Sequence, residues 1–418
     1  MIGPRSRFQG VIVLLTVLFL ASAWLPLADA GDTERIVAIG DVHGSVAGLT
    51  SILEEADIID PSGHWIGGTT TLIQQGDLLD RGLYVKEVMD LLMRLQREAP
   101  RAGGEVICLL GNHEGMNLLG LVRDVNPEIY AAFADKVSEA RRDEAFASMT
   151  RCRATRTELF GAASEDATMP TRDEWMARYP LGKLEYLEAL GPDGVYGEWF
   201  RSLEITVRRA NTIFVHAGLS PALQGQELKA INTRIAEELR HFDRFRATLA
   251  EEGLVLPTAA VNEVTEIAAT ILALAPDAKG KRGRKLRHLA KDLDGTTGIG
   301  GWYLVHKDGP LWFRGAALWD EQEYAEKIAE ILDPLKVDRM VVGHTVMPDG
   351  MIKSRFGGRV LIIDTGMLSE VYEGGRASAL EIVGDAVTAI YAGERHLLVD
   401  GEWQVQIPDP ELEVAAGG

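Results

Sequence analysis

The sequence predicts an α/β fold in which a sheet is covered by helices and the functional groups sit on loops at strand ends. Three observations carry that expectation. Strand-like runs recur at Arg35–Ile39, Thr70–Gln75 and Glu105–Leu110, and each ends directly in a glycine followed by a polar residue. Between them, Val46–Ala56 and Val85–Arg97 place apolar residues at helical spacing. The chain has 418 residues, 46% of them apolar, enough to bury the core of one large elaborated domain or two modest ones. Alternating strand and helix then gives a sheet flanked by helices.

In chain order, the first segment is of another kind. Arg5 and Arg7 precede an apolar stretch from Val11 to Leu20 and on to Leu27, closed by Ala28-Asp29-Ala30. That order predicts a secretory signal peptide over residues 1–30, cleaved after Ala30, because the apolar core is short for a spanning helix. The expected destination is the periplasm or the exterior, with no stable membrane association after cleavage. An uncleaved anchor would leave the body of the chain on the same side.

After the first three strands, two stretches rich in Ala, Glu, Arg and Leu, about 121–190 and 223–292, read as helical insertions that form a cap. Within the second, Lys279-Gly280-Lys281-Arg282-Gly283-Arg284-Lys285 reads as a basic solvated loop, with steering of an anionic substrate as the second reading. Further strands are expected at Thr212–Val215, Arg339–Val342 and Val360–Ile363. Ser378–Val383, Ala386–Tyr391 and Trp403–Ile407 suggest a closing antiparallel meander.

Composition narrows the function. A formal net charge of -19 argues against nucleic acid or anionic lipid as partner, since both need a basic surface. Two cysteines, Cys108 and Cys152, build neither a disulfide framework nor a thiolate zinc cluster, and Cys108 reads as a small buried hydrophobe. Gly298-Ile299-Gly300-Gly301 lacks the strand-to-helix context of a dinucleotide fingerprint.

The chemistry lies in five ordered clusters: Gly40-Asp41-Val42-His43-Gly44, Gly76-Asp77-Leu78-Leu79-Asp80-Arg81-Gly82, Gly111-Asn112-His113-Glu114, His216-Ala217-Gly218 and Gly343-His344-Thr345. Each sets an oxygen or imidazole ligand beside a glycine that lets the backbone turn. Carboxylate, imidazole and one amide oxygen, without thiolate, suit manganese, iron or zinc rather than calcium. Two such ions can clamp a phosphoester and share an activated water. The natural bridging carboxylate is Asp77. Arg81 offers a planar fork to phosphate oxygens, and Asp80 can hold His113 as a proton donor.

These clusters, in this order, resemble the signature of calcineurin-like metallophosphoesterases, and Gly76–Gly82 is similar to its protein-phosphatase branch. Within that branch the His-Ala-Gly variant, the insertions and the Gly309-Pro310-Leu311-Trp312-Phe313-Arg314-Gly315 run resemble bacterial Shewanella-like phosphatases. The resemblance spans roughly Ile36 to Leu380. It implies a central mixed β-sandwich flanked by helices. It also implies one divalent metal ion on Asp41, His43 and Asp77 and a second on Asp77, Asn112, His216 and His344. By the same resemblance His113 is the general acid oriented by Asp80, while Arg81, Arg314 and Asn112 bind the substrate phosphate. The late active-site tyrosine of the eukaryotic enzymes has only Tyr372 as a candidate counterpart.

The expected activity is metal-dependent hydrolysis of phosphomonoesters, with a tyrosine- or serine/threonine-phosphorylated protein as leading substrate. A nucleotidase or dinucleoside-polyphosphate hydrolase of the same fold is the first alternative, and an inactive phosphopeptide-binding module the second. The sequence leaves the oligomeric state open. Of the nine histidines, His64, His241, His288, His306 and His396 lie outside the clusters and read as surface or packing residues. Trp302, Tyr303, Trp312 and Trp319 read as core packing or as a substrate groove.

Overall fold

The computed structural model describes residues 34–160, 170–274, 281–294 and 299–406. The expected signal peptide lies outside the described residues. Strands β1 (Arg35–Ile39), β2 (Thr71–Gln74) and β3 (Glu105–Cys108) alternate with helices α1 (Val46–Glu55) and α2 (Val85–Glu98), and α3 (Asn112–Leu118) follows β3 directly. The first insertion supplies α4 (Ser138–Phe160), α5 (Arg172–Arg178) and α6 (Lys183–Ala189); α7 (Val195–Ser202), β4 (Thr206–Arg209) and β5 (Thr212–Val215) follow it, and the second supplies α8 (Leu228–Glu251), α9 (Val261–Leu274) and α10 (Lys281–Asp294). The chain closes with α11 (Gly315–Leu318), α12 (Glu321–Leu332), β6 (Arg339–Val342), β7 (Lys353–Arg355), β8 (Val360–Ile362) and four strands, β9 (Ala379–Val383), β10 (Ala386–Tyr391), β11 (Glu394–Val399) and β12 (Glu402–Val405).

Two mixed sheets result, ordered β12-β11-β10-β9-β1-β2-β3 and β4-β5-β6-β8-β7. Strands β1, β2 and β3 are mutually parallel, as are β5, β6 and β8, while the flanking strands run antiparallel. Alternating side chains feed different cores. Ile36 and Ala38 of β1 join Phe214, Val341 and Leu361 between the sheets. Val37 and Ile39 face α1 and α2, and Met340, Val342 and Val360 face α12. The sandwich expected from the resemblance is therefore present, with helices on both outer faces.

Three strands depart from the sequence reading. β4 and β7 (Lys-Ser-Arg) are short polar edge strands, and β11 inserts a strand into the closing meander, whose residues are only half-buried. The described part of the basic run is not a loop: from Lys281 onward it is the start of α10. The two insertions pack on each other. Arg156 of α4 donates to the Leu254 carbonyl (2.5 Å) and pairs with Glu263 of α9.

Candidate active site

Each parallel strand ends at the same edge of its sheet, and every cluster is the loop leaving such a strand. β1 leads to Asp41 and His43, β2 to Asp77, β3 to Asn112, β5 to His216 and β6 to His344. β8 adds Asp364 by the same rule, a residue the sequence reading did not single out although Ile363-Asp364-Thr365-Gly366 repeats the strand, acid, glycine pattern.

Contacts link all six expected ligand residues. His43 Nε2 lies 3.9 Å from Asp41 Oδ2 and 3.8 Å from Asp77 Oδ2. On the other side, His216 Nε2 lies 3.4 Å from Asp77 Oδ1 and 2.9 Å from Asn112 Oδ1. Donor atoms of Asp77, His216 and His344 fall within 4.8 Å of one another, as do those of His43, Asp77 and His113. Two glycines make room: a Cβ on Gly111 would collide with the Asp77 carboxylate, and one on Gly343 with that of Asp41.

The imidazoles are prepared as ligands. Nδ1 of His43 donates to the Leu79 carbonyl and Nδ1 of His216 to that of Gln75, both at 2.8 Å, which leaves the Nε2 lone pairs facing the carboxylates. Burial, reinforced by neighbouring positive groups, depresses His43 to about 3 and His344 to about 2, so both are neutral. Burial pulls His216 down as well, but the Asp77 carboxylate outweighs it and leaves the pKa raised. For Asp77 burial pushes upward, yet His216, His113 and His43 hold it well below the usual carboxylate range. His344 Nε2 is buried with no protein partner, as a metal-ligating nitrogen requires. This donor set fits divalent cations.

Beside these groups, His113 Nδ1 contacts Asp80 Oδ2 at 2.5 Å. The other Asp80 oxygen accepts from Asn117 Nδ2 (2.9 Å), and Tyr186 of α6 donates its hydroxyl to Asn117 Oδ1 (2.8 Å). Burial lowers the His113 pKa, but the Asp77 and Asp80 carboxylates outweigh it and raise it. Arg81 Nη2 lies 3.0 Å from His113 Nε2, and Arg81 touches His43 Nε2 and the Tyr372 hydroxyl. Tyr372 thus reaches the site. Arg314 Nη1 donates to the His344 carbonyl (2.9 Å) and to Thr345 Oγ1 (3.0 Å). These groups surround a cleft of about 370 Å³. From the first insertion it is lined by Arg123 and Asp124, which precede the helices; among the described residues, α4 to α10 supply none of its lining. A larger cavity, about 780 Å³ between α1 and α2, contains none of the cluster residues.

Glu114, quoted in the third cluster without a role, is the site's internal brace. Its carboxylate accepts the backbone N–H groups of Asp77 (2.8 Å), Leu78 (2.9 Å), Leu79 (3.1 Å) and Gly111 (2.9 Å), tying the β2 loop to the start of α3. Glu114→Ala would leave four buried donors without partners and is expected to destabilise the fold by on the order of 3 kcal/mol or more. Urea melting of the variant against the parent checks this, and unchanged stability contradicts the bracing role.

Five cluster residues other than glycine adopt left-handed backbone: His43 (φ 47°), Asp77 (56°), Asp80 (70°), Arg81 (67°) and His344 (66°). Such conformations persist only where the surroundings enforce them, and they concentrate at functional sites.

Burial, with help from Asp364 and then Asp77, pushes Asp41 well above the usual carboxylate range, and burial pushes Asp364 up to about 6. The folded metal-free chain therefore holds a proton on Asp364 that the unfolded chain has released, and this carboxylate's contribution to stability falls as pH rises from about 4 to about 6. Asp364→Asn is expected to exceed the parent in melting temperature near pH 7.5 with chelator present and to lose that advantage near pH 4.5. A pH-independent difference contradicts the sign.

Comparison with known proteins gives the family. The calcineurin-like phosphoesterase family model matches residues 34–348. Shewanella-like protein phosphatase 1 of Plasmodium berghei is 23% identical over 339 residues, 80% of this chain and 67% of that one. Shewanella-like protein phosphatase 2 of Arabidopsis thaliana is 46% identical over 92 residues, 22% of this chain and 24% of that one. The crystal structure of the cold-active protein-tyrosine phosphatase of a psychrophilic Shewanella species shares the fold, with a TM-score of 0.53, 22% identity and coverage of 89% of this chain and 80% of that one. The chain belongs to the calcineurin-like phosphoesterase family, and it is a metal-binding hydrolase of phosphoesters.

Proposed function

We propose that the chain is a phosphoprotein phosphatase that works through two divalent ions, manganese by preference, outside the cytoplasm. The observation that carries this reading is the position of Asp77, whose Oδ2 faces His43 and whose Oδ1 faces His216, so one carboxylate serves two ligand groups. Asp41, His43 and Asp77 would hold the first ion, and Asp77, Asn112, His216 and His344 the second. Bound there, such ions supply Lewis-acid polarisation of a phosphoryl oxygen and lower the pKa of a water. Arg81 and Arg314 present guanidinium forks to the phosphoryl oxygens, with the Asn112 amide beside them. His113, kept protonated through Asp80, turns Nε2 toward the cleft and gives its proton to the departing oxygen. Displacement in a single step needs no phosphorylated side chain.

The cleft is bounded largely by charged and polar groups, which suits a phosphorylated side chain presented on a peptide, and the relatives' names as protein phosphatases support that substrate class. Arg5, Arg7, the apolar run and Ala28-Asp29-Ala30 support export to the periplasm or exterior. The test is hydrolysis of a phosphotyrosine peptide, a phosphoserine peptide and a nucleotide by metal-stripped protein, with and without manganese. Manganese-restored turnover of a peptide is the expected result. Turnover of the nucleotide alone would replace this reading with a nucleotidase, and no turnover with any metal would replace it with a binding module.

A further inference from the structure

Glu238 is a buried carboxylate near the middle of α8, within the second insertion and outside every motif. Its side chain accepts from the backbone N–H of Tyr303 through Oε1 and of Leu304 through Oε2, both at 3.0 Å. Arg234, one turn earlier, donates to Glu238 Oε1 (3.1 Å) and to the Gly301 carbonyl (3.1 Å), and lays its guanidinium 3.5 Å from the centre of the Tyr303 ring. A single helix face therefore grips residues 301–304.

That segment leads into the site. The Leu304 carbonyl accepts the Trp312 indole N–H (2.9 Å), and Trp312 lines the cleft with its ring edge-on to His344, 6.0 Å between centroids. Leu304 and Leu311 pack over Gly115 of α3, the helix that opens with Asn112 and His113. The Pro310 carbonyl accepts the N–H of Ala217, next to His216 (3.0 Å), and Arg314 closes the run on His344 and Thr345. A charge is costly to bury, and burial raises the Glu238 pKa against the pull of its three donors. A buried carboxyl group that takes up two backbone amides is explained when holding those amides fixes something.

We infer that Glu238 is a positioning residue: by clamping the Tyr303 and Leu304 amides it sets the 302–314 wall, and through it the reach of Arg314 into the cleft. The helical insertion thereby acts on phosphate binding without lining the pocket. This rests on the reading of Arg314 as a phosphate-binding group.

The test is a double-mutant cycle on Glu238→Ala and Arg314→Ala in the full chain loaded with manganese. It reads the inhibition constant of inorganic phosphate against hydrolysis of p-nitrophenyl phosphate, with melting temperature read in parallel. Glu238→Ala is expected to weaken phosphate binding roughly tenfold in the parent, the scale of losing a residue that orients a site group, and to have little further effect when Arg314 is already Ala. Its effect on melting temperature is expected to be the same in both backgrounds. Glu238→Gln, which keeps one acceptor oxygen, should fall between and covers the case in which the alanine variant fails to fold. Phosphate effects that simply add across the cycle would overturn the inference while leaving the phosphate role of Arg314 intact. Unaltered phosphate binding in Arg314→Ala would overturn that role and the inference with it.

Discussion

Asp77→Asn is expected to abolish turnover, lowering kcat at least roughly a thousandfold, the scale of losing a preorganised electrostatic stabiliser, while the chain remains folded. The reason lies in the two oxygens. His43 faces one of them and His216 the other, so in the proposed two-ion site removing this carboxylate's charge weakens both ligand groups, and the loss is expected to exceed that of a ligand serving one ion. The fold survives because Asp77 Oδ1 also accepts the His113 N–H at 3.0 Å, a bond an asparagine oxygen can keep. Steady-state kinetics with titrated manganese, paired with calorimetric metal binding, checks it. Near-normal rates, or one metal-binding step left intact, would remove Asp77 from its bridging position.

His113→Asn is the second large effect. Proton donation to a leaving group contributes roughly 10² to 10⁴ in rate, and that contribution depends on how poor the leaving group is. On a phosphoserine peptide, whose alkoxide leaves badly, kcat should fall by about that factor with KM little changed. On p-nitrophenyl phosphate, whose phenoxide leaves unaided, the fall should be far smaller. Asp80→Asn should reproduce part of the same pattern, since it removes the carboxylate 2.5 Å from His113 Nδ1. Equal losses on both substrates would mean that His113 orients phosphate rather than donating a proton.

Most of the candidate site was legible in the sequence because its grammar is local. A buried strand, a glycine and a ligand fall within about six residues of one another, so Asp41, Asp77, Asn112, His216 and His344 announce themselves before any folding is considered. What stayed hidden depends on distant partners. Asp364 ends a strand but faces Asp41, more than three hundred residues away. Tyr186 reads as one more aromatic on an amphipathic helix until its hydroxyl meets Asn117. Glu114 sits in a motif, but four backbone donors converge on it only after the β2 loop has closed over α3. Among the strands, β4 and β7 escaped notice because edge strands expose polar side chains and lack the apolar alternation that marks a half-buried strand. The basic run misled because Gly283 suggests a loop, whereas packing against α8 and α9 holds it in a helix.

The left-handed residues at the ligand loops bear on how such a chain can adapt to heat. Each costs about 1–2 kcal/mol relative to ordinary backbone, and glycine would remove that cost at His43, Asp77, Asp80, Arg81 and His344 only by deleting the side chain. Random drift toward thermostability is therefore blocked at the very positions where the largest local gains lie. Lineages of this fold living at high temperature must find their extra stability elsewhere, in the insertion helices and the polar edge strands, and those are the regions where hot and cold members should differ most while the ligand loops stay equally strained in both.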